Sequence, residues 1–156
     1  MLLFLSRLAF AEAVAEPSVY KELLSRDGVP SCQILKERHS LLQEQLKTLI
    51  SNDAKPSYVP MRAASCLLEL YPQDLSTYLS WVEKKETLGL ARLTISKLET
   101  LPVDVSIPLT EKALTGENAV VLLPKVQKIA HPDIQSLVLE HTQLIEAVPK
   151  NTGDEQ

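Results

Sequence analysis

Met61-Arg62-Ala63-Ala64-Ser65-Cys66-Leu67-Leu68-Glu69-Leu70-Tyr71-Pro72 is followed thirty residues later by Ala91-Arg92-Leu93-Thr94-Ile95-Ser96-Lys97-Leu98-Glu99-Thr100-Leu101-Pro102. Arg62 falls on Arg92, Leu68 on Leu98, Glu69 on Glu99 and Pro72 on Pro102. A second shift brings Val121-Leu122-Leu123-Pro124-Lys125-Val126-Gln127-Lys128-Ile129-Ala130-His131-Pro132 into line. The arginine and glutamate are lost there, but the closing proline returns. Self-similarity at a fixed period of this length marks an array of stacked units. Pro72, Pro102 and Pro132 read as evenly spaced stops, each ending one helix and preceding the next.

Working outward, each segment between stops divides into two helices. Ser57 is placed to cap a helix through Arg62 and Leu70, with Pro60 tolerated in its first turn. Asp74, Asp104 and Asp133 follow the three stops and are placed to cap the next helices. Gly89 and Gly116 mark the turns inside the pairs. Along the second helices the columns Ala63/Leu93/Leu123, Cys66/Ser96/Val126 and Leu70/Thr100/Ala130 recur on one helical face. Leu49/Leu79/Leu109/Leu139 form a column along the first helices. Val19 to Ser25, an Asp27-Gly28-Val29-Pro30 turn and Ser31 to Arg38 fit a degenerate first unit, and Asp133 to Val148 a closing helix. Pro124 falls inside a second helix; it reads as a kink, with a locally opened backbone as the alternative.

Leu42-Gln43-Glu44-Gln45-Leu46-Lys47-Thr48-Leu49-Ile50 and Val59-Pro60-Met61-Arg62-Ala63-Ala64 together resemble the HEAT repeat family: a leucine-rich first helix, a turn, then a second helix opening on a valine and an Arg-Ala-Ala stretch. The resemblance covers roughly residues 40 to 145. Its second unit keeps Arg92 but replaces the alanines with Leu93 and Thr94, and its third has Leu122 at the arginine position. It implies an all-α solenoid of antiparallel helix pairs over residues 16–148; the tail over 149–156 has no apolar pattern and reads as disordered. The resemblance also implies that Arg62 and Arg92 tie turns to acidic residues, Asp53 and Glu86 being the candidates. Such motifs specify a fold and leave the function open.

Composition agrees with helices. Of 156 residues 45% are hydrophobic and only 4% aromatic, with four glycines, which leaves little for the turns and inner faces of a β-sandwich. A net charge of −4 argues against a nucleic-acid binder. No apolar run reaches a membrane span. Met1 to Ala11 is apolar and ends in Ala9-Phe10-Ala11, a small-x-small pattern, but Arg7 interrupts it. Residues 1–15 therefore read either as a signal-peptide remnant or as a helix packed on the first unit.

Cys32 and Cys66 do not form a C-x-x-C. On the repeat alignment they lie in consecutive parallel second helices, displaced by about one turn, so a disulfide is geometrically accessible. Two buried thiols are the alternative. The oxidised reading goes with a periplasmic or secreted protein, the reduced one with the cytoplasm. His39, His131 and His141 have no metal-ligand spacing, and no nucleophile or phosphate-binding motif is present. The chain reads as non-enzymatic, without cofactor or metal. Trp81, near Tyr78 and Val82, reads as packing between units, with a binding hot spot as the alternative.

Charge separates the two helix sets. Second helices carry Arg62, Arg92, Lys97, Lys125 and Lys128, whereas first helices are rich in Asp and Glu. Second helices commonly line the concave side of such solenoids. This predicts a monomeric adaptor or scaffold that binds a protein or acidic peptide on a mildly basic face of Arg92, Lys97, Lys125 and Lys128. Two faces that are merely solvated, a subunit of a larger helical assembly, and an enzyme-associated factor are the alternatives.

Overall fold

The computed structural model describes residues 18–147. The proposed leader or helix over 1–15 and the tail over 149–156 lie outside them. All regular structure among the described residues is helical: α1 Val19–Leu24, α2 Cys32–Arg38, α3 Leu42–Ser51, α4 Tyr58–Leu70, α5 Leu75–Glu83, α6 Leu88–Ser96, α7 Val103–Thr115, α8 Ala119–Val126 and α9 Pro132–Ala147. Short 3-10 turns stand at Lys85–Thr87 and Leu98–Thr100. No described helix is long and apolar enough to cross a membrane.

Neighbours in sequence pack as pairs: α3 on α4, α5 on α6, α7 on α8. Across the pairs, α4 meets α6, α6 meets α8, α5 meets α7, and α7 meets α9. The short α1 and α2 both pack on α4. One hydrophobic core runs through these contacts, from Val19 and Leu23 to Ile134 and Val138. A single pair could not bury its apolar faces alone, which is why the units need each other.

The prolines recur every 30 residues, but the buried face of the second helices recurs every 31. Pro60, Ala91 and Leu122 are buried equivalents, as are Ala64, Ile95 and Val126, and Leu67, Leu98 and Ile129. One residue is about 100° around a helix, so columns drawn at 30 rotate off the core. Ser96, Thr100 and Ala130 are accordingly exposed, and Leu93 and Leu123 only half-buried. In the first helices Leu46, Tyr78, Leu109 and Val138 are buried; of the expected column only Leu109 is, Leu49 and Leu79 being half-buried and Leu139 60% exposed. These intervals are unequal because the turns that separate paired helices differ in length.

Several expected caps are corrected. Ser57 has helical φ and ψ and makes no capping bond. Asp104 and Asp133 lie within the first turn of their helices, where they still face the positive helix end. Gly89 sits in the first turn of α6, because the chain has already reversed through Lys85–Thr87, where the Thr87 hydroxyl donates to the Trp81 and Lys84 carbonyls. Gly116 does end α7, and a Cβ there would stand 2.7 Å from the Lys112 carbonyl oxygen. Ser18 and Ser31 cap α1 and α2 by accepting from Lys21 and Ile34 amides. Pro124 lies in the last turn of α8, which ends two residues later at Val126.

Candidate functional site

The side-by-side second helices create two grooves. Between α4 and α6, Ser65, Leu68, Glu69, Pro72, Lys97 and Thr100 line about 270 Å³. Between α6 and α8, Ile95, Ser96, Glu99, Lys125, Lys128 and Ile129 line about 290 Å³. Ser65 corresponds to Ser96 and Lys97 to Lys128 under the 31-residue register of the buried face. Each groove therefore sets a serine on one helix beside a lysine carried by the next.

Arg92, Lys97, Lys125 and Lys128 are all exposed. Three of them line the grooves, whereas Arg92 stands one turn before Ser96 on the same face of α6, outside both. The lysines sit at helix C-termini: Lys97 is the C-cap of α6, and Lys125 and Lys128 flank the end of α8. That position also favours cations electrostatically, a structural reason for lysine there. Opposing carboxylates are present. Glu99 is partly committed, since its Oε1 accepts the Ala130 amide at 2.9 Å, while Glu69 is exposed in the first groove.

Arg62 does not join this face. Its guanidinium donates to the Leu23 and Ser25 carbonyl oxygens at 2.7 and 2.6 Å, satisfying the C-terminal end of α1, and stacks on Tyr58 with 4.6 Å to the ring centre. The expected pair with Asp53 is absent because Asp53 bonds Lys55, two residues on. Among the described residues no ion pair joins Arg92 to Glu86.

Register between units is held by buried or half-buried polar groups. Asp74, at the start of α5, accepts from Lys47 at 2.7 Å and Gln43 at 3.2 Å on α3, and from Thr77 at 2.9 Å. Burial pushes its carboxyl up, but these hydrogen bonds and the Lys47 charge outweigh it and hold the group below its ordinary value. Asn118, 4% exposed, donates to the Val82 and Lys84 carbonyls and so closes the end of α5 from the α7–α8 turn. Sequence reasoning missed Asn118, which carries no motif.

His39 is buried, 4% exposed. Its Nε2 lies 2.7 Å from Glu22 Oε1, and Arg38 donates to the other carboxylate oxygen. Burial raises the Glu22 carboxyl, and the His39 and Arg38 contacts more than reverse this, leaving it below its ordinary value. Cys32 and Cys66 stand at disulfide distance with Cα atoms 5.2 Å apart, joining α2 to α4. Trp81 is 6% exposed and packs at a tilt on Tyr78, 5.3 Å between ring centres, which places it in the core. Tyr78 is fully buried, and its hydroxyl donates to the Leu67 and Tyr71 carbonyls; burial, with the Asp74 charge, raises its pKa well above the ordinary phenol value.

A further hollow, about 440 Å³ between α3 and α5, is lined by Lys47, Lys84, Trp81 and several hydroxyls. Several of its polar groups are engaged: Lys47 and Thr77 with Asp74, and Thr48, Ser51, Ser80 and Thr87 with backbone carbonyls. His131 Nδ1 lacks a hydrogen bond, with Asp133 Oδ2 at 3.8 Å. Among the described residues no three His, Cys, Asp or Glu side chains stand together as a metal site. Compared with family models, curated proteins and solved structures, the chain matches none.

Proposed function

We propose that the chain is a HEAT-like α-solenoid that works as a non-catalytic scaffold, taking an acidic protein or peptide on the face formed by α4, α6 and α8. Pairwise packing of α3/α4, α5/α6 and α7/α8, each pair touching the next, supports the solenoid. The observation that carries the binding reading is the pair of adjacent grooves holding exposed Lys97, Lys125 and Lys128. Exposed like charges at a concave surface steer an oppositely charged partner and raise its association rate. The cysteine pair at disulfide distance supports an oxidising compartment, periplasmic or extracellular.

The test is the double substitution Lys97→Glu with Lys128→Glu. Association with an acidic partner slows, and its salt dependence flattens; unchanged affinity rejects the reading. A second reading, a subunit of a larger helical assembly, rests on exposed Val120, Leu139 and Leu144 in α8 and α9, at 87%, 60% and 62%. Sedimentation separates the two: a single species at the mass of one chain disfavours self-assembly.

A further inference from the structure

The two grooves share a serine and a lysine at corresponding positions. The serine of each, Ser65 and Ser96, and the lysine of each, Lys97 and Lys128, are 31 residues apart, the interval of the buried face. Corresponding points in adjacent grooves are therefore separated by one helix-to-helix step, about 8–10 Å for packed helices. A linear partner that uses both grooves must present like groups at that spacing, on one side.

Backbone conformation decides which partners can. In a β-strand, same-side residues recur at roughly 6.7 Å or twice that, too short or too long. An α-helix returns to the same side with a pitch of about 5.4 Å, so like groups recur at roughly 5.4 or 10.8 Å, again short of or beyond the step. Polyproline II turns once every three residues and rises about 9 Å in doing so, which matches the step. The floors suit such a chain: Leu68 and Pro72 in one groove and Ile95 and Ile129 in the other offer apolar contact, while Lys97 and Lys128 offer cations.

Building on the acidic-partner reading, the geometry points to a ruler: the grooves take an extended, proline-rich segment in polyproline II form whose acidic residues recur at every third position. One carboxylate meets Lys97 and the next, three residues away, meets Lys128. Beside Lys97 the Ser65 hydroxyl can donate to the ligand's carboxylate, whereas the Ser96 hydroxyl already donates to the Leu93 carbonyl at 2.6 Å, so the second contact rests on Lys128.

Two synthetic peptides of equal composition test this on the full chain: Pro-Pro-Asp-Pro-Pro-Asp-Pro-Pro and Pro-Pro-Pro-Asp-Asp-Pro-Pro-Pro, titrated by fluorescence anisotropy at low salt. The spaced peptide binds about fivefold tighter, the value of one further exposed ion pair. Lys97→Glu removes that advantage and leaves the clustered peptide unchanged, because Lys125 and Lys128 share the other groove. Lys97→Gln does the same without reversing charge, and thermal melting checks that both variants are folded. Equal or tighter binding of the clustered peptide overturns the ruler while leaving the acidic-partner reading standing. Binding of neither peptide overturns both.

Discussion

Replacing Cys32 with serine is the most informative perturbation of the fold. The helix it belongs to, α2, is seven residues long and buries only Leu35 fully. Apart from the Arg38 and His39 contacts with Glu22 and the Lys36 ammonium 5.7 Å from the Tyr71 ring centre, its hold on the domain is Leu35 and the link to Cys66. Cys32 is half-buried, so serine there introduces no strongly buried polar group. The cost of the substitution therefore comes from freeing the unfolded chain. A bond across a sequence separation of 34 removes loop-closure entropy worth about 4 kcal/mol. That is a large share of the roughly 5–15 kcal/mol that holds a domain together. Melting should fall by roughly 8–16 °C, and urea unfolding under non-reducing conditions should show the same loss. Adding reductant should bring the wild-type curve onto that of the variant. Identical midpoints for both proteins without reductant would refute the reasoning, because a bond that constrains the unfolded chain cannot be removed at no cost.

Three further outcomes are expected. Asn118→Ala leaves the Val82 and Lys84 carbonyls without their donor and lowers unfolding free energy by about 1–3 kcal/mol in a denaturant titration. Arg62→Met keeps the apolar stem but loses both carbonyl bonds to the end of α1, costing about 1.5–3 kcal/mol, with hydrogen exchange rising first in α1. For Asp74 the folded pKa lies below its ordinary value of 3.8, so its contribution is complete above that value and is lost as pH falls through the folded pKa. Asp74→Asn should thus destabilise the protein at neutral pH and flatten the acid limb of a stability-against-pH curve, whereas an unchanged limb would assign the acid sensitivity to Glu22 or other carboxylates.

Much of the fold could be read from residue order. Proline stops, the scarcity of glycine and aromatics, and leucines at helical spacing lead to helix pairs, and the Asp27-Gly28-Val29-Pro30 turn falls where Gly28 takes a φ of 69°. The cysteine geometry followed from the same alignment. What failed did so for a local reason. Identities at 30 residues mark where helices end, whereas burial follows which face meets the next unit, and a one-residue offset turns that face by about 100°. Arg62, Asp74 and Asn118 bond to backbone carbonyls or residues roughly one unit away, contacts that no local pattern announces. His39 is buried because α1 brings Glu22 over it, which its neighbours in sequence do not foretell. The exposed lysines were legible as charge, but the two grooves that divide them were not.

The acidic-partner account meets its most direct test in an amide NMR titration of the uniformly labelled chain with Pro-Pro-Asp-Pro-Pro-Asp-Pro-Pro. The account predicts shifts at Ser65, Ser96, Lys97, Lys125 and Lys128, fading as salt rises, with α3, α5 and α7 unmoved. Shifts on the first helices, or none on the α4–α6–α8 face, would contradict it.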